Sequence, residues 1–225
     1  AAEAAADASF FGRRPVCIRN AGVAPGEALT REHLEQLALA AGTDARIIRG
    51  DAQERPPAWS LAEGPLSSAD VGSVGADGRK WCVVVNGVDR RVPAAEALPE
   101  RLAPHVPRWR FDDVQASLSC VGGGVGPHAD SFDVFLLQAR GRKRWRVSTR
   151  AEYAPERAEA YHAGLPVQVL REFEPEADLV LEEGDCLYLP PRVAHWGVAL
   201  DDDCLTLSVG YLAPTARELL ARRRS

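Results

Sequence analysis

Hydrophobic and polar positions follow two different rhythms along this chain. Up to about residue 108 the pattern is mixed. The stretch "RRPVCIRNAG" reads as a short strand running into a glycine turn. In "TREHLEQLALAA", Leu34, Leu37 and Ala41 fall on one face of a helix, with Thr30 as its N-cap and Gly42 just past its end. Residues 51–79, rich in Gly, Pro, Ser and Asp, predict mostly irregular structure. "WCVVVN" predicts a buried strand at 81–86, and the segment from Ala94 to Leu102 a helix broken by Pro99.

After Trp109 the rhythm shortens. Strands are predicted at 114–121, 132–138, 143–147, 178–182, 185–189, 194–199 and 204–211, with turns at Glu183–Gly184 and along the acidic run Asp201 to Asp203. Many short strands without long intervening helices predict a mainly β fold with α segments, a jelly roll or double-stranded β-helix. Residues 151–176 predict an exposed, partly helical insertion. The expected organisation is an N-terminal α/β region (1–108) packing on a jelly-roll core (109–213), then the start of a C-terminal helix (214–225). The Ala-rich first six residues predict a frayed end.

Composition narrows the class without choosing a function. With 46% hydrophobic and 26% charged residues, the 225-residue chain has the make-up of an ordinary globular protein. No apolar run reaches the roughly 18–20 residues that cross a bilayer, and the net charge of −5 gives no general attraction to nucleic acid or membrane. Cys17, Cys82, Cys120, Cys186 and Cys204 are scattered, odd in number and never spaced as C-x-x-C. The last four lie in apolar, strand-like runs and read as small buried hydrophobes, which predicts a reducing, intracellular compartment: cytoplasm, or nucleolus or organelle in a eukaryote. Methionine is absent even at position 1, so a fragment or processed form is expected.

Candidate chemistry sits in "GPHADSFDVF". On an extended segment His128 and Asp130, two residues apart, point to the same side and can converge on one cation. His195, in "PPRVAHWGVAL", is 65 residues further on, where only folding brings it near. Two imidazoles and one carboxylate on one face leave coordination positions open, the arrangement of non-haem Fe(II) oxygenases. An H-x-D pair alone is commonplace, so the neighbouring signals matter. "VGGGVGPH" puts four glycines just before His128, and Pro190–Pro191 stiffen the approach to His195. In "RKRWRV" the period-two alternation sets Lys143, Trp145 and Val147 on the buried face and Arg142, Arg144 and Arg146 outside. An inward ammonium requires an anion: either a co-substrate carboxylate, such as that of 2-oxoglutarate, or an internal Asp or Glu.

Taken together, "RWRFDDVQASLSCVGGGVGPHADSFDVFLLQARGRKRWRV", "LEEGDCLYLPPRVAHWGVAL" and "LSVGYLAPTARELL" resemble the JmjC ribosomal oxygenases. "RRPVCIRNA" and "LAEGPL" extend the likeness over nearly the whole chain. The nearest likeness is to the bacterial type, which hydroxylates an arginine of a large-subunit ribosomal protein; the eukaryotic relatives act on ribosomal histidines. The resemblance implies Fe(II) on His128, Asp130 and His195, with 2-oxoglutarate and O₂ as co-substrates and a ribosomal protein as partner. It places Lys143 on 2-oxoglutarate, where the bacterial type tends to have Arg and the eukaryotic type Lys. It places Asp113 opposite a substrate guanidinium, Gln115 where Met is common, Phe132 where Tyr is usual, and Ser208 at the pocket wall. These departures bear on the substrate residue more than on the chemistry. The resemblance also implies a helical dimerisation region and a winged-helix domain beyond "RELLARRRS", with a homodimer where that region is present. Two rivals stay open: a cupin metalloenzyme that does not use 2-oxoglutarate, and a catalytically silent binding module. His33, His105 and His162 have no convergent partners and read as surface or structural.

Overall fold

The computed structural model describes residues 8–22, 29–51 and 58–212. The Ala-rich start and the 214–225 helix lie outside these residues. The strands, in chain order, begin with β1 (Val16–Ile18), β2 (Ala45–Arg49), β3 (Ser60–Glu63), β4 (Trp81–Val85), β5 (Phe111–Ser119) and β6 (His128–Ala129). They continue with β7 (Asp133–Arg140), β8 (Lys143–Ser148), β9 (Ala177–Leu181), β10 (Cys186–Leu189), β11 (Ala194–Ala199) and β12 (Cys204–Tyr211). A larger antiparallel sheet runs β1-β10-β7-β12-β5-β4-β2-β3, and a smaller one β6-β11-β8-β9. Two facing sheets of this kind make the predicted mainly β jelly roll. The strands that precede residue 108 extend the larger sheet at both of its edges.

The larger sheet uses its two faces differently. Val114, Ala116 and Leu118 of β5, Phe135 and Leu137 of β7, and Leu205, Leu207 and Val209 of β12 pack with Leu34, Leu37, Leu98 and Leu102 in one core. Each fully buried leucine there contributes roughly 1.5–3 kcal/mol. The alternate residues, among them Asp113, Gln115, Ser117, Val134, Leu136 and Ser208, line a cavity on the opposite face. A register slip of one residue would exchange the two sets.

The helical forecasts need adjustment. α1 spans Arg31–Leu39, and the Thr30 hydroxyl accepts from the His33 N–H as its N-cap. The helix stops two residues short because Ala40 is already extended; Ala38 joins Leu34 and Leu37 in the core and Ala41 is exposed. The segment around Pro99 forms two short helices, Pro93–Glu96 and Leu98–Leu102, parted at Ala97. Pro99 sits in the first turn of the second helix, where a missing N–H costs nothing. Within 51–79, expected to be mostly irregular, β3 and a helix at Ser68–Gly72 with a Ser67–Asp70 capping box appear. The 151–176 insertion is largely exposed and helical only in part, as expected, but it is also anchored. It holds the 3₁₀ turns Ala151–Tyr153 and Ala158–Ala160 and a Tyr161–Leu170 bridge, and it buries Tyr153, Tyr161 and Leu170 against Ala129 and Ala194. Cys82, Cys186 and Cys204 are buried, whereas Cys120 is half-buried and Cys17 exposed; all five are free thiols. No helix among the described residues is long and apolar enough to cross a membrane.

One buried polar knot ties the elements together at the start of β7. Asp133 accepts from the Tyr188 hydroxyl and, at 2.9 Å, from Arg110, while the Gly12 N–H donates to the Tyr188 oxygen at 2.6 Å. Arg110 also donates to the Leu212 carbonyl at 2.7 Å. Asp133→Ala takes the acceptor from the half-buried Arg110 guanidinium and from the buried Tyr188 hydroxyl, so the variant should lose about 3 kcal/mol of stability. The urea midpoint reads this directly, and a loss under about 1 kcal/mol would show the knot to be dispensable.

Candidate metal centre and co-substrate cavity

β6 is only two residues long, yet its pairing with β11 sets His128 directly opposite His195. Directly opposed residues of an antiparallel pair share a face, and the two imidazole centroids lie 4.4 Å apart. Asp130 follows on the same side. Its carboxylate oxygens stand 3.9 Å from His128 Nε2 and 3.7 Å from His195 Nε2. One donor atom from each residue lies within 4.8 Å of the others, close enough for small rotations to bring all three onto one ion. This is the one such group among the described residues, and His33, His105 and His162 are not part of it.

The backbone fixes which nitrogen of each ring faces inward. His128 Nδ1 sits 2.9 Å from the Gly126 carbonyl and His195 Nδ1 3.1 Å from the Val193 carbonyl. A carbonyl only accepts, so each Nδ1 carries a proton, and Nε2 is the nitrogen each ring has left for a metal. Burial, reinforced by the His128 ring, pushes the His195 pKa down to about 4, so the neutral imidazole is held at neutral pH. Past Pro190 and Pro191 the chain turns at Arg192 (φ 71°), whose N–H donates to the Asp130 carbonyl at 2.7 Å. That bond locks the His195 approach onto the His128–Asp130 segment. The insertion clamps the same place: the Leu170 N–H donates to the Pro127 carbonyl at 2.8 Å, and Glu156 pairs with Arg192 at 2.6 Å.

The cavity behind these residues measures about 460 Å³. Lys143 enters it from β8 and is only 3% exposed, so the alternation argument holds. Its Nζ donates to the Thr206 hydroxyl at 3.3 Å and lies 5.0 Å from the Trp145 ring centroid. No carboxylate among the described residues is within ion-pair distance of it, which answers the alternative of an internal Asp or Glu. Thr206 in turn donates to Gln138 Oε1 at 3.1 Å. Arg142, Arg144 and Arg146 point outward and are spent on Asp201 and Asp178 rather than forming a free basic patch.

Asp113, Gln115, Phe132 and Ser208 all line the same cavity, the first three where it meets the outer surface. The Gly87 N–H holds one Asp113 oxygen at 2.8 Å. Burial raises the Asp113 pKa against that bond, and Asp112 and Asp89 nearby push the same way. Gln115 donates to Asn86 Oδ1 at 2.8 Å, and Asn86 donates to Asp44 at 2.6 Å, which leaves the Gln115 carbonyl for the cavity.

Sequence reasoning overlooked Gly197. A Cβ there would stand 2.7 Å from the Trp145 ring and 2.9 Å from Lys143 Cε, so glycine is what lets both side chains lie across β11. A glycine in a strand interior is the available signal for such a close approach. Arg46 and the insertion residues Pro166, Val167 and Gln168, also unforeseen, complete the walls.

Two antiparallel sheets holding two imidazoles and a carboxylate at the mouth of a buried-lysine cavity define a cupin-like metal centre. The JmjC domain family model matches residues 101–219. The chain belongs to that family. It is 34% identical over 210 residues to "Ribosomal protein uL16 3-hydroxylase" of Escherichia coli, covering 93% of this chain and 52% of that protein. It is 31% identical over 215 residues to "Probable ribosomal oxygenase" of Haemophilus influenzae, covering 94% and 50%. The solved structure of the E. coli ribosomal oxygenase YcfD with cobalt and 2-oxoglutarate superposes with a TM-score of 0.73 at 31% identity, covering 94% of this chain and 52% of that one. The chain thus spans about half the length of the curated relatives it matches.

The depressed His195 pKa has a consequence for stability. Because the folded value of about 4 lies below the ordinary 6.5, the unfolded chain takes up this proton first. The contribution is complete above about pH 6.5 and is lost as the pH falls toward 4. Metal-free protein should therefore lose about 2 kcal/mol through this group between pH 7 and pH 5. Urea midpoints at the two pH values should show that slope in the native chain and a shallower one in His195→Asn. Equal slopes would refute the burial of a neutral imidazole.

Proposed function

We propose that this chain is the catalytic portion of an Fe(II)- and 2-oxoglutarate-dependent protein hydroxylase acting on a large-subunit ribosomal protein. Arginine is the favoured target residue and histidine the next. The observation that carries the reading is the Lys143 ammonium, buried without an anion in the same cavity as His128, Asp130 and His195. A zinc site that serves structure alone closes all four positions and needs no such cation. The donor set fits Fe(II): two imidazoles and a carboxylate, with the open side turned to the cavity. The cobalt and 2-oxoglutarate bound by the E. coli relative support the same assignment.

In this reading His128, Asp130 and His195 hold the metal through one face, and Lys143 takes the far carboxylate of 2-oxoglutarate. Fe(II) with 2-oxoglutarate and O₂ supplies the oxidising power for hydroxylation. Trp145, Val134 and Leu136 wall the site with apolar surface and keep water from the reacting centre. Asp113 and the Gln115 carbonyl present acceptors at the mouth, which suits a guanidinium with its several N–H donors better than an imidazole. Phe132 and Ser208 complete the wall against that side chain. The preference for arginine rests on these acceptors alone, and the ribosomal-protein substrate on the likeness to the E. coli uL16 hydroxylase.

His128→Ala and Asp130→Ala should each abolish 2-oxoglutarate consumption while the far-ultraviolet circular dichroism stays native; full turnover in either would defeat the ligand assignment. Lys143→Ala should raise the KM for 2-oxoglutarate about tenfold or more, the equivalent of a lost charge-assisted hydrogen bond. An unchanged KM would remove Lys143 from the co-substrate site.

A further inference from the structure

Outside the mouth of the cavity lies a second concavity of about 730 Å³, and the two share Arg46, Asp112, Asp113, Gln115 and Phe132. Its remaining walls come from the loops at 42–44 and 86–91. Those loops precede the segment matched by the JmjC domain, which begins at residue 101. The reacting groups thus come from the matched segment, and the outer groove adds walls from the chain before it.

Three of the six charged side chains along this groove are already committed. Asp44 is held by Asn86, Asp113 by the Gly87 N–H, and Arg91 donates to the Ala41 carbonyl at 3.3 Å. Arg46 differs. It stands on β2 opposite Val84 of β4 and Glu63 of β3, half-buried, where the groove meets the cavity. Its guanidinium makes no hydrogen bond or ion pair with any described residue, and even Glu63, its cross-strand neighbour, is beyond ion-pair distance. The comparably half-buried Arg31, Arg49, Arg79, Arg110 and Arg140 each donate to a carboxylate, hydroxyl or carbonyl. A rigid five-donor fork partly withdrawn from water is costly unless acceptors arrive with a ligand. The ligand is not a polyanion, because Asp44, Asp112 and Asp113 offset Arg46, Arg90 and Arg91 along the same walls.

We propose that the outer groove carries the main chain of the substrate segment, with Arg46 as its anchor. The guanidinium donates to main-chain carbonyl oxygens beside the side chain that enters the cavity. This rests on the hydroxylase reading above and adds a substrate-positioning residue to it.

The test uses overlapping synthetic segments of ribosomal protein uL16, taking forward the segment that the unaltered chain hydroxylates. Arg46→Ala should raise the KM for that segment about tenfold, with a much smaller change in kcat. Arg46→Lys, a point donor in place of a fork, should recover only part of the loss. The melting temperature of Arg46→Ala should stay within about 2 °C of the unaltered chain, since no internal bond is lost. A KM within twofold of the unaltered chain would overturn the proposal. So would a peptide whose acidic side chains, changed to amides, lose affinity for the unaltered chain but not for Arg46→Ala, because the contact would then be to a carboxylate. If the unaltered chain hydroxylates no uL16 segment, the hydroxylase reading itself fails, a result distinct from either.

Discussion

A lysine ammonium withdrawn from water, with a threonine hydroxyl and an indole face as its neighbours, is the constraint around which this molecule is arranged. Burying a charge without a counter-charge costs several kcal/mol, and no carboxylate among the described residues offsets it. The fold carries that cost in a cavity that also holds two imidazoles and a carboxylate. A cation at one end and a metal-binding face at the other suit a small dianion that chelates a metal and extends toward the lysine. Neither end alone implies such a ligand.

The two ends are kept in register by backbone rather than by side-chain pairing. β11 is the central element: it places His195 opposite His128 of β6 on one side and, through Gly197, lets Trp145 and Lys143 of β8 lie across it on the other. The Arg192 N–H to the Asp130 carbonyl and the Leu170 N–H to the Pro127 carbonyl close the metal end from two directions. Both ring tautomers follow from backbone carbonyls at Gly126 and Val193. The site is thus largely preorganised, and what enters it need not pay to assemble it.

Much of this was legible in the sequence because the relevant strands alternate cleanly and end at turns. β11 and β12 fall at the residues predicted, and the burial of Lys143 followed from its phase with Trp145 and Val147. What escaped did so for physical reasons. In β2, "ARIIR" has an inward Arg46 that faces a polar cavity, so the strand lacks the apolar alternation that announces one. β6 is too short for any period to show. The polar composition of 151–176 concealed Tyr153 and Tyr161, whose rings are buried while their hydroxyls find partners: Tyr161 donates to the Tyr153 carbonyl, and the Tyr153 oxygen accepts from the Glu174 N–H. Convergence of His128, Asp130 and His195 was an inference from residue type; only the β6–β11 pairing supplies the geometry.

The central claim is that an anion-seeking lysine and a three-residue metal face serve one oxidation of a ribosomal protein. Mass spectrometry of uL16 incubated with this chain, Fe(II), 2-oxoglutarate and O₂ tests it most directly. The account predicts a gain of one oxygen on a single arginine, with one succinate formed for each oxygen gained. Unmodified uL16 in the presence of bound metal and 2-oxoglutarate, or oxygen gained without succinate, would contradict it.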